Sequence, residues 1–586
     1  MIAPPLPEPR LHLTELLAAA LHETGLPPGE VNIVLERPKH AGHGDYACNV
    51  ALQLGKLVGL PPRAVATKIT AALPASPLVA KTEIAGPGFI NIFLNADTKR
   101  ATIPRILAAG ADFGRCALGR DQKVQVEFVS ANPTGPLHVG HGRGAAFGAS
   151  LANVLAAAGY AVSREYYVND AGRQMDILAL SVWVRYLELA GVIGAAAFPA
   201  NAYQGEYVRA MAQTIHSDHS DHGNRFVRDI GADWLKIKLI ARDEEQVLDE
   251  LIALAKRVLG EDYAYIHEFA LNEQLEDCRS DLAEFGVTFD HWLHEKSLYD
   301  AGLVERAVRL LEERGHVYVK DGARWFRSTG FGDEKDRVAQ RENGEYTYFA
   351  SDIAYHLNKF ERGFDRVIDV WGADHHGYIA RVKGALEAFG LDPRRLVIAL
   401  VQFAALYRGG KKVPMSTRAG EFVTLRELRR EVGNDAARFF YVLRKSDQHL
   451  DFDLDLAKSQ STENPVYYVQ YAHARVCSVL EQWGGDPARL AGVDTSPLAA
   501  AGELALATRL MEYPEAVEAA ARELSPHVVA FYLRELAGEF HSYYNATRIL
   551  VDDEPLRLAR LALAAAVRQA LRNGLALLGV SAPEKM

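Results

Sequence analysis

A chain of 586 residues exceeds what one hydrophobic core can hold and predicts three or four domains. It is 49% hydrophobic with no uninterrupted apolar run of the roughly 18 residues a membrane helix needs, so a soluble globular protein is expected. The net charge of −10 offers no bulk attraction for nucleic acid, and any RNA partner has to be met by local basic patches, shape and aromatic stacking. Cys48, Cys116, Cys278 and Cys477 lack C-x-x-C spacing, which predicts free thiols and no structural zinc. Neither the Met1 to Arg10 segment nor the C-terminus carries a secretion or lipidation signal, so a cytoplasmic location is expected.

Residues 1 to about 115 read as a separate α/β module without a catalytic cluster. A helix is predicted over Leu11 to Glu23, a turn at Pro27-Pro28-Gly29 and a strand over Val31 to Leu35. The polar stretch His43 to Asn49 reads as a turn. Helices follow through Leu57 and after Pro62, and Gly86 to Leu94 alternates like a strand.

The region from about 116 to 455 opens with Val124, Val126, Phe128 and Val129, a predicted buried strand. A glycine- and proline-rich turn leads to His138-Val-Gly140-His141-Gly142 and a helix predicted over Gly144 to Leu155. Both histidines then sit at a helix N-terminus, where free backbone N–H groups and the helix dipole attract phosphate. Three apart, they share one helical face, and Gly140 and Gly142 let a nucleotide lie close to the backbone. Alone, an H-x-x-H is weak evidence; the strand and turn around it raise its weight.

Strands at Arg366 to Trp371 and Leu396 to Ala405, separated by helices, predict a parallel doubly wound sheet of Rossmann type. A helical section at about 174–290, including Gln174 to Leu189 and Glu244 to Leu259, reads as an insertion wrapped onto that sheet. Its tract His216, His219, His222 reads as a solvated loop, since nothing nearby closes a coordination shell. At the end of the strand beginning near Arg366, Asp374 is a candidate ribose contact with His375 and His376 facing substrate; the competing reading is a turn aspartate capping its own backbone. The basic loop Tyr407 to Gly420 precedes a helix capped by Thr424 with Glu427. Its Lys411, Lys412 and Arg418 can close over a triphosphate, although such a loop alone could equally be a solvated hairpin.

Residues 456–586 are predicted to be all helical, with Leu556, Leu563, Val567, Leu571, Leu575 and Leu578 near one face of the last helix. Two aromatic groups, Tyr467-Tyr468-x-x-Tyr471 before Arg475 and Phe540 to Tyr544 before Arg548, suit stacking on unpaired bases or packing between helices.

Together these elements resemble a class I aminoacyl-tRNA synthetase. His138 to His141 is similar to its HIGH motif and Met415-Ser416-Thr-Arg418 to a variant KMSKS loop. Within the class the chain resembles the arginyl-tRNA synthetase family along nearly its whole length. Ser130 to His141, Tyr167-Val-Asn-Asp-Ala-Gly-Arg-Gln174 and Leu450 to Asp455 carry the likeness in the catalytic region. His43-Gly-Asp-Tyr and Gly86 to Asn91 carry it for the N-terminal domain, and Asp435 to Arg438 and Asn464 to Tyr468 for the anticodon-binding domain.

The resemblance implies ATP-dependent formation of arginyl-adenylate and transfer of arginine to the 3′-terminal adenosine of tRNA(Arg), with tRNA usually required for the first step. It implies ATP contacts from His138, Gly140, His141, Asp374, Met415 and Ser416, and magnesium arriving with ATP rather than held by protein ligands. By position, Glu295, Tyr348 and Asp352 match the arginine side-chain pocket, Asn132 the α-amino contact, and His376 the substrate side, with Glu127 a contact or a support beneath. A guanidinium with five donors suits paired carboxylates. Tyr468, Tyr471, Tyr543 and Met586 are the implied tRNA contacts, and the N-terminal module would meet the outer corner of the tRNA near its D-loop. The family implies a monomer.

The KMSKS lysines are missing: Pro414 and Thr417 occupy their places, and Thr134-Gly135-Pro136 lacks the lysine that compensates in some relatives. Lys411, Lys412 or Arg418 is left to supply the charge. Two rival functions remain at this stage, a small-molecule nucleotidyltransferase and a catalytically silent tRNA-binding protein; the long helical C-terminal region argues against the first and the intact site residues against the second.

Overall fold

A computed structural model describes residues 8–25, 31–38, 40–194, 198–218, 225–228, 230–413 and 423–586. In the N-terminal module, four antiparallel strands lie in the order Leu35–Glu36, Tyr46–Cys48, Phe89–Leu94, Val79–Ala85. Helices Pro9–Glu23, Val50–Val58 and Pro62–Ala71 supply the rest of its core. The predicted strand over 31–35 contracts to Leu35–Glu36, and the predicted turn at 43–49 contains a strand. Only Tyr46 and Cys48 point inward there, an alternation too short to register as a periodic signal. Val79–Ala85, its own residues mixed in exposure, was likewise not predicted.

The central sheet is parallel, with strands ordered Leu396–Val401, Arg366–Gly372, Lys123–Glu127, Ala161–Val168, His291–His294. From Lys123–Glu127 the chain builds outward in one direction; Arg366–Gly372 and Leu396–Val401 then build from its other side. That reversal opens a crevice at the carboxyl ends of Lys123–Glu127 and Arg366–Gly372, where ligands of such sheets bind. The first strand is shorter than predicted. It stops at Glu127, and Val129 and Ser130 turn through φ of 68° and 40°. A β-branched residue there costs roughly 1–3 kcal/mol, and the turn is held by its surroundings: Ser130 donates its N–H to the Phe128 carbonyl and its hydroxyl to Glu127.

The run predicted as one strand from Leu396 to Ala405 is two. Gln402 donates its N–H to Ser446 and its carbonyl accepts from buried Arg143, so the chain leaves the main sheet there. Ala404–Arg408 enters a separate sheet between Lys411–Lys412 and Leu450–Asp453. Gly148 on helix Val139–Ala157 lies flush on Phe128; a Cβ would fall 2.3 Å from that ring, so only glycine lets the helix approach the strand.

The insertion buries a core of its own around Trp183, Leu180 and Leu251 rather than simply coating the sheet. Helix Glu261–Glu284 then carries Leu275, Cys278 and Leu282 into the main core. His216 lies on helix Glu206–Asp218, and His219 and His222 fall outside the described residues.

Helices Pro465–Trp483, Ala501–Met511, Tyr513–Arg522, His527–Ala546 and Glu554–Leu577 form the C-terminal bundle, whose core is continuous with that of the sheet. Leu563, Val567, Leu571, Leu575 and Leu578 are buried, as the one-face pattern predicts, and Leu556 is half-buried. Arg438 ties the parts together. Its buried guanidinium donates to the carbonyls of Leu578 at 3.0 Å and of Phe285 and Gly286 at 3.0 and 3.3 Å. Burial pushes its pKa down to about 10, so it stays charged at neutral pH. Arg438→Met leaves these carbonyls without their donor and is expected to lower the unfolding free energy by about 3 kcal/mol, measured by denaturant titration; a loss below about 0.5 kcal/mol would show that water replaces the guanidinium.

Candidate active site

The crevice holds two adjoining clusters of opposite character. In the first, His138 is the N-cap of helix Val139–Ala157 and His141 its third residue. Nδ1 of His138 accepts the Gly140 N–H at 3.0 Å, and Nδ1 of His141 accepts the His138 N–H at 3.3 Å. The rings stack with centroids 3.7 Å apart. Burial lowers the pKa of both, and with help from His138 takes His141 down to about 3. At neutral pH each ring is therefore uncharged, and since Nδ1 accepts, the proton sits on Nε2.

The glycines of this turn, Gly140 and Gly142, serve packing. A Cβ on Gly140 would fall 2.8 Å from the His138 ring, and one on Gly142 would meet Leu425 and Tyr441 at 2.8 and 3.1 Å. Gly142 therefore faces the core, not a ligand, which corrects the expectation that it opens the backbone to a nucleotide.

The chain that follows residue 422 is laced to this turn. Val139 donates to the Val423 carbonyl at 3.2 Å, Leu425 to that of Leu137 at 2.8 Å, and Thr424 and Glu427 form the predicted capping box. Met415, Ser416 and Arg418 lie outside the described residues. Lys411 and Lys412 are exposed on the short strand that leads toward them.

A cleft of about 1050 Å³ opens beside the histidines, lined by Asn132, Thr134, Gln174 and the insertion segment 200–207. Asn132 donates to Gln174 at 2.8 Å, and Tyr207 donates its hydroxyl to the Thr134 carbonyl at 2.7 Å, so the insertion builds one wall. Tyr207 escaped the sequence reading because its partner lies 73 residues away.

The second cluster is acidic. Glu295, 2% exposed, opens helix Glu295–Asp300, and Asp170 fixes that opening by accepting the Lys296 N–H at 2.9 Å while pairing with His294 at 2.7 Å. Asp352 on helix Tyr348–Glu361 accepts from the Tyr378 hydroxyl. Burial raises the pKa of Glu295, Ser351 opposes it, and the charges of Asp352 and Asp170 add to the rise; burial likewise raises Asp352. Tyr348 is exposed at the rim, where a Cβ on Gly172 would lie 3.0 Å from its hydroxyl. Asp374 and His376 are exposed on the turn Ala373–Tyr378, with His375 3.7 Å from Asp374. An exposed Asp374 does not fit the competing view of a buried turn cap.

Glu127 is buried at the end of the strand Lys123–Glu127. It is paired with the fully buried ammonium of Lys359 at 2.5 Å and accepts from Ser130 at 2.8 Å. Of its two readings, support is the one its contacts match.

On the bundle, Arg475 sits 4.5 Å over the Tyr471 ring and 4.9 Å over Tyr544, beside Lys585 and exposed Met586, around a cavity of about 490 Å³. Tyr468 is half-buried against His541, with ring centroids 4.5 Å apart. Tyr543 is 5% exposed and packed in the core, so a base could not stack on its ring without parting the helices; the expectation of a tRNA contact there is corrected.

Residues 102–189 and 228–451 match the catalytic domain of class I (R) tRNA synthetases, residues 11–94 the arginyl-tRNA synthetase N-terminal domain, and residues 469–586 the DALR anticodon-binding domain. Among curated relatives, an arginine–tRNA ligase of Nitrosospira multiformis is 67% identical, with 100% of each chain covered, and one of Azoarcus is 65% identical over 99% of this chain and 100% of its own. The arginyl-tRNA synthetase structure from Thermus thermophilus superposes with a TM-score of 0.74 at 26% identity, covering 98% of this chain and 100% of its own. Two clusters at a topological switch point, a DALR bundle and these relatives place the chain in the arginyl-tRNA synthetase family of class I enzymes.

Proposed function

We infer that the two clusters divide one reaction between them, the neutral histidines holding the triphosphate of ATP and the acids holding the arginine side chain. The chain is an arginine–tRNA ligase: it joins arginine to tRNA at the expense of ATP. The observation that carries the residue-level reading is the opposite chemistry of adjacent pockets. Uncharged Nε2–H donors at a helix N-terminus suit an anion, and a buried carboxylate with a half-buried, desolvated one suits a guanidinium.

In this reading the α-carboxylate of arginine attacks the α-phosphorus of ATP, the bond to the β-phosphate breaks, and pyrophosphate leaves toward the histidines. Asn132 holds the α-amino end, Asp374 the ribose and His376 the rim of the substrate site. Tyr348 walls the side chain between Glu295 and Asp352. The terminal adenosine of the tRNA then attacks the mixed anhydride through its 2′-hydroxyl, releasing AMP. Magnesium enters with ATP, and Lys411 or Lys412 supplies the charge that the altered KMSKS loop lacks. Tyr471, Tyr468 and Met586 meet the anticodon end, and the N-terminal module meets the outer corner of the tRNA. A cytoplasmic monomer is the expectation that accompanies family membership.

Pyrophosphate exchange with each amino acid, with and without tRNA, tests the whole reading: arginine alone should support it. Exchange with another amino acid overturns the substrate, and none under any condition favours a silent tRNA binder.

The raised carboxyls give a pH signature. Arginine needs both acids ionised, so its KM should rise as pH falls from neutrality into the acid range, while the free enzyme, whose desolvated anions are costly, loses part of its stability in the opposite direction. The KM for ATP should show no histidine inflection across the same interval, because His138 and His141 are already neutral. An inflection near pH 6.5 that His141→Asn abolishes would mean that a protonated ring binds the phosphate.

Alanine at both Lys411 and Lys412 should slow pyrophosphate exchange roughly 100-fold; a loss within a factor of about two removes them from the transition state. Tyr471→Ala should weaken tRNA-dependent charging by about 1–3 kcal/mol without changing tRNA-independent arginine binding. Unaltered charging would reduce Tyr471 to packing.

A further inference from the structure

One half-buried tyrosine beside the acidic cluster has no role in the scheme above. Tyr167 lies on strand Ala161–Val168, the strand next to Lys123–Glu127, and it is rigidly held. Its N–H donates to Ser130 Oγ at 3.1 Å, and its ring packs on Tyr355 with centroids 4.5 Å apart. Tyr355 in turn donates to Glu165 at 2.7 Å and carries the Lys359 ammonium 4.2 Å above its ring.

The hydroxyl of this fixed ring is out of reach of solvent and has no hydrogen-bond partner among the described residues, and Oε2 of Glu295 is in the same condition. The two side chains are near enough for Tyr167 to ease the ionisation of Glu295, yet neither orphaned atom is aligned with the other. A buried polar group without a partner is costly, so two such atoms in one pocket call for a ligand that brings both into pairing. Burial, then the charges of Glu295, Asp352 and Glu127, push the phenol far above its ordinary range, and it keeps its proton. It therefore offers one O–H donor and oxygen lone pairs. In an acid-lined pocket the donor goes to a carboxylate, and the lone pairs can accept only from a donor-rich group. A planar guanidinium has five N–H donors and no acceptor.

We propose that Tyr167 is a specificity-determining residue of the arginine pocket, giving its phenolic proton to Glu295 while its oxygen accepts one guanidinium N–H. This rests on reading Glu295 and Asp352 as the site of the arginine side chain. The phenol then pairs the Glu295 oxygen and the substrate pairs the phenol, so neither orphaned atom is left without a partner. The urea of citrulline lacks the charge the acids require and brings a carbonyl acceptor into their midst.

Tyr167→Phe keeps the ring and its contact with Tyr355 and deletes only the orphaned oxygen. The KM for arginine should rise about tenfold with kcat within about threefold, the loss of an interaction made equally in ground and transition states. The Tm of the free enzyme should stay level or rise, because an unpaired buried hydroxyl is gone, and the Tm increment produced by saturating arginine should shrink. A lowered Tm with an unchanged KM assigns the hydroxyl to structure and overturns the proposal, as does an unchanged arginine increment. Asp352→Asn, measured in parallel, separates the two levels. If it leaves the arginine KM unaltered, the pocket itself is misassigned and the proposal falls with it. If it raises that KM roughly 100-fold while Tyr167→Phe does not move it, only the role of Tyr167 is lost.

Discussion

The ammonium of Lys359, fully buried between Glu127 and Asp369, is the charge on which the catalytic crevice depends. Those two acids face each other in register on the neighbouring strands Lys123–Glu127 and Arg366–Gly372, whose carboxyl ends open the crevice. Two carboxylates side by side in a low dielectric would repel and take up protons; with Lys359 at 2.5 and 2.7 Å the set is compensated, and Asp369 is held below the ordinary carboxyl range despite its burial. Such a buried ionic group adds little net stability over an apolar one of the same shape. Its value here is positional. His356 joins Asp369 to the Asp352 carbonyl, and Ser130 joins Glu127 to the backbone of Tyr167, so one cation orders the supports of the acidic pocket.

From that floor the two pockets diverge in electrostatics. The histidine turn is made anion-receptive without a fixed positive charge: burial keeps the second proton off each ring, and a helix N-terminus supplies the favourable dipole. The other pocket concentrates negative charge at the expense of the free protein, leaving Glu295 and Asp352 costly anions until a cation arrives. Strain is placed in the same neighbourhood. The left-handed Val129 and Ser130 turn the chain from the strand toward Asn132, so backbone cost and buried charge gather where the reaction requires fixed geometry.

The outer parts are joined to this centre through packed elements. Tyr207 of the insertion holds the turn before His138 at Thr134, and Arg438 clamps the last helix of the bundle to the end of Glu261–Glu284 through backbone carbonyls. In the bundle, Tyr471, Arg475, Tyr544 and Met586 gather into one aromatic surface around a guanidinium on a protein of net negative charge. In the proposed reading RNA is met by that local surface rather than by a global field.

Local chemistry was legible in the chain itself. The strand leading to the histidine turn, the two rings three residues apart, the Thr424–Glu427 capping box and the buried face of the last helix all rest on interactions within a few residues, and periodicity and spacing report those. The parallel sheet followed from alternating strands and helices, and the acids proposed to hold arginine could be picked out only by resemblance. What the chain did not disclose was whatever depended on distant partners. Gly142 meets Leu425 and Tyr441, Tyr543 is enclosed by neighbouring helices, and the strand after Leu396 breaks because Gln402 bonds elsewhere. The pairing of Lys359 with Glu127 spans 232 residues and leaves no local pattern, and the orphaned hydroxyl of Tyr167 is defined by the absence of a partner in three dimensions. Sequence determined which chemistry the chain carries, because side-chain type and short spacing are written in it; tertiary structure decided which groups are buried, paired or left waiting, because burial and pairing are properties of the packed whole.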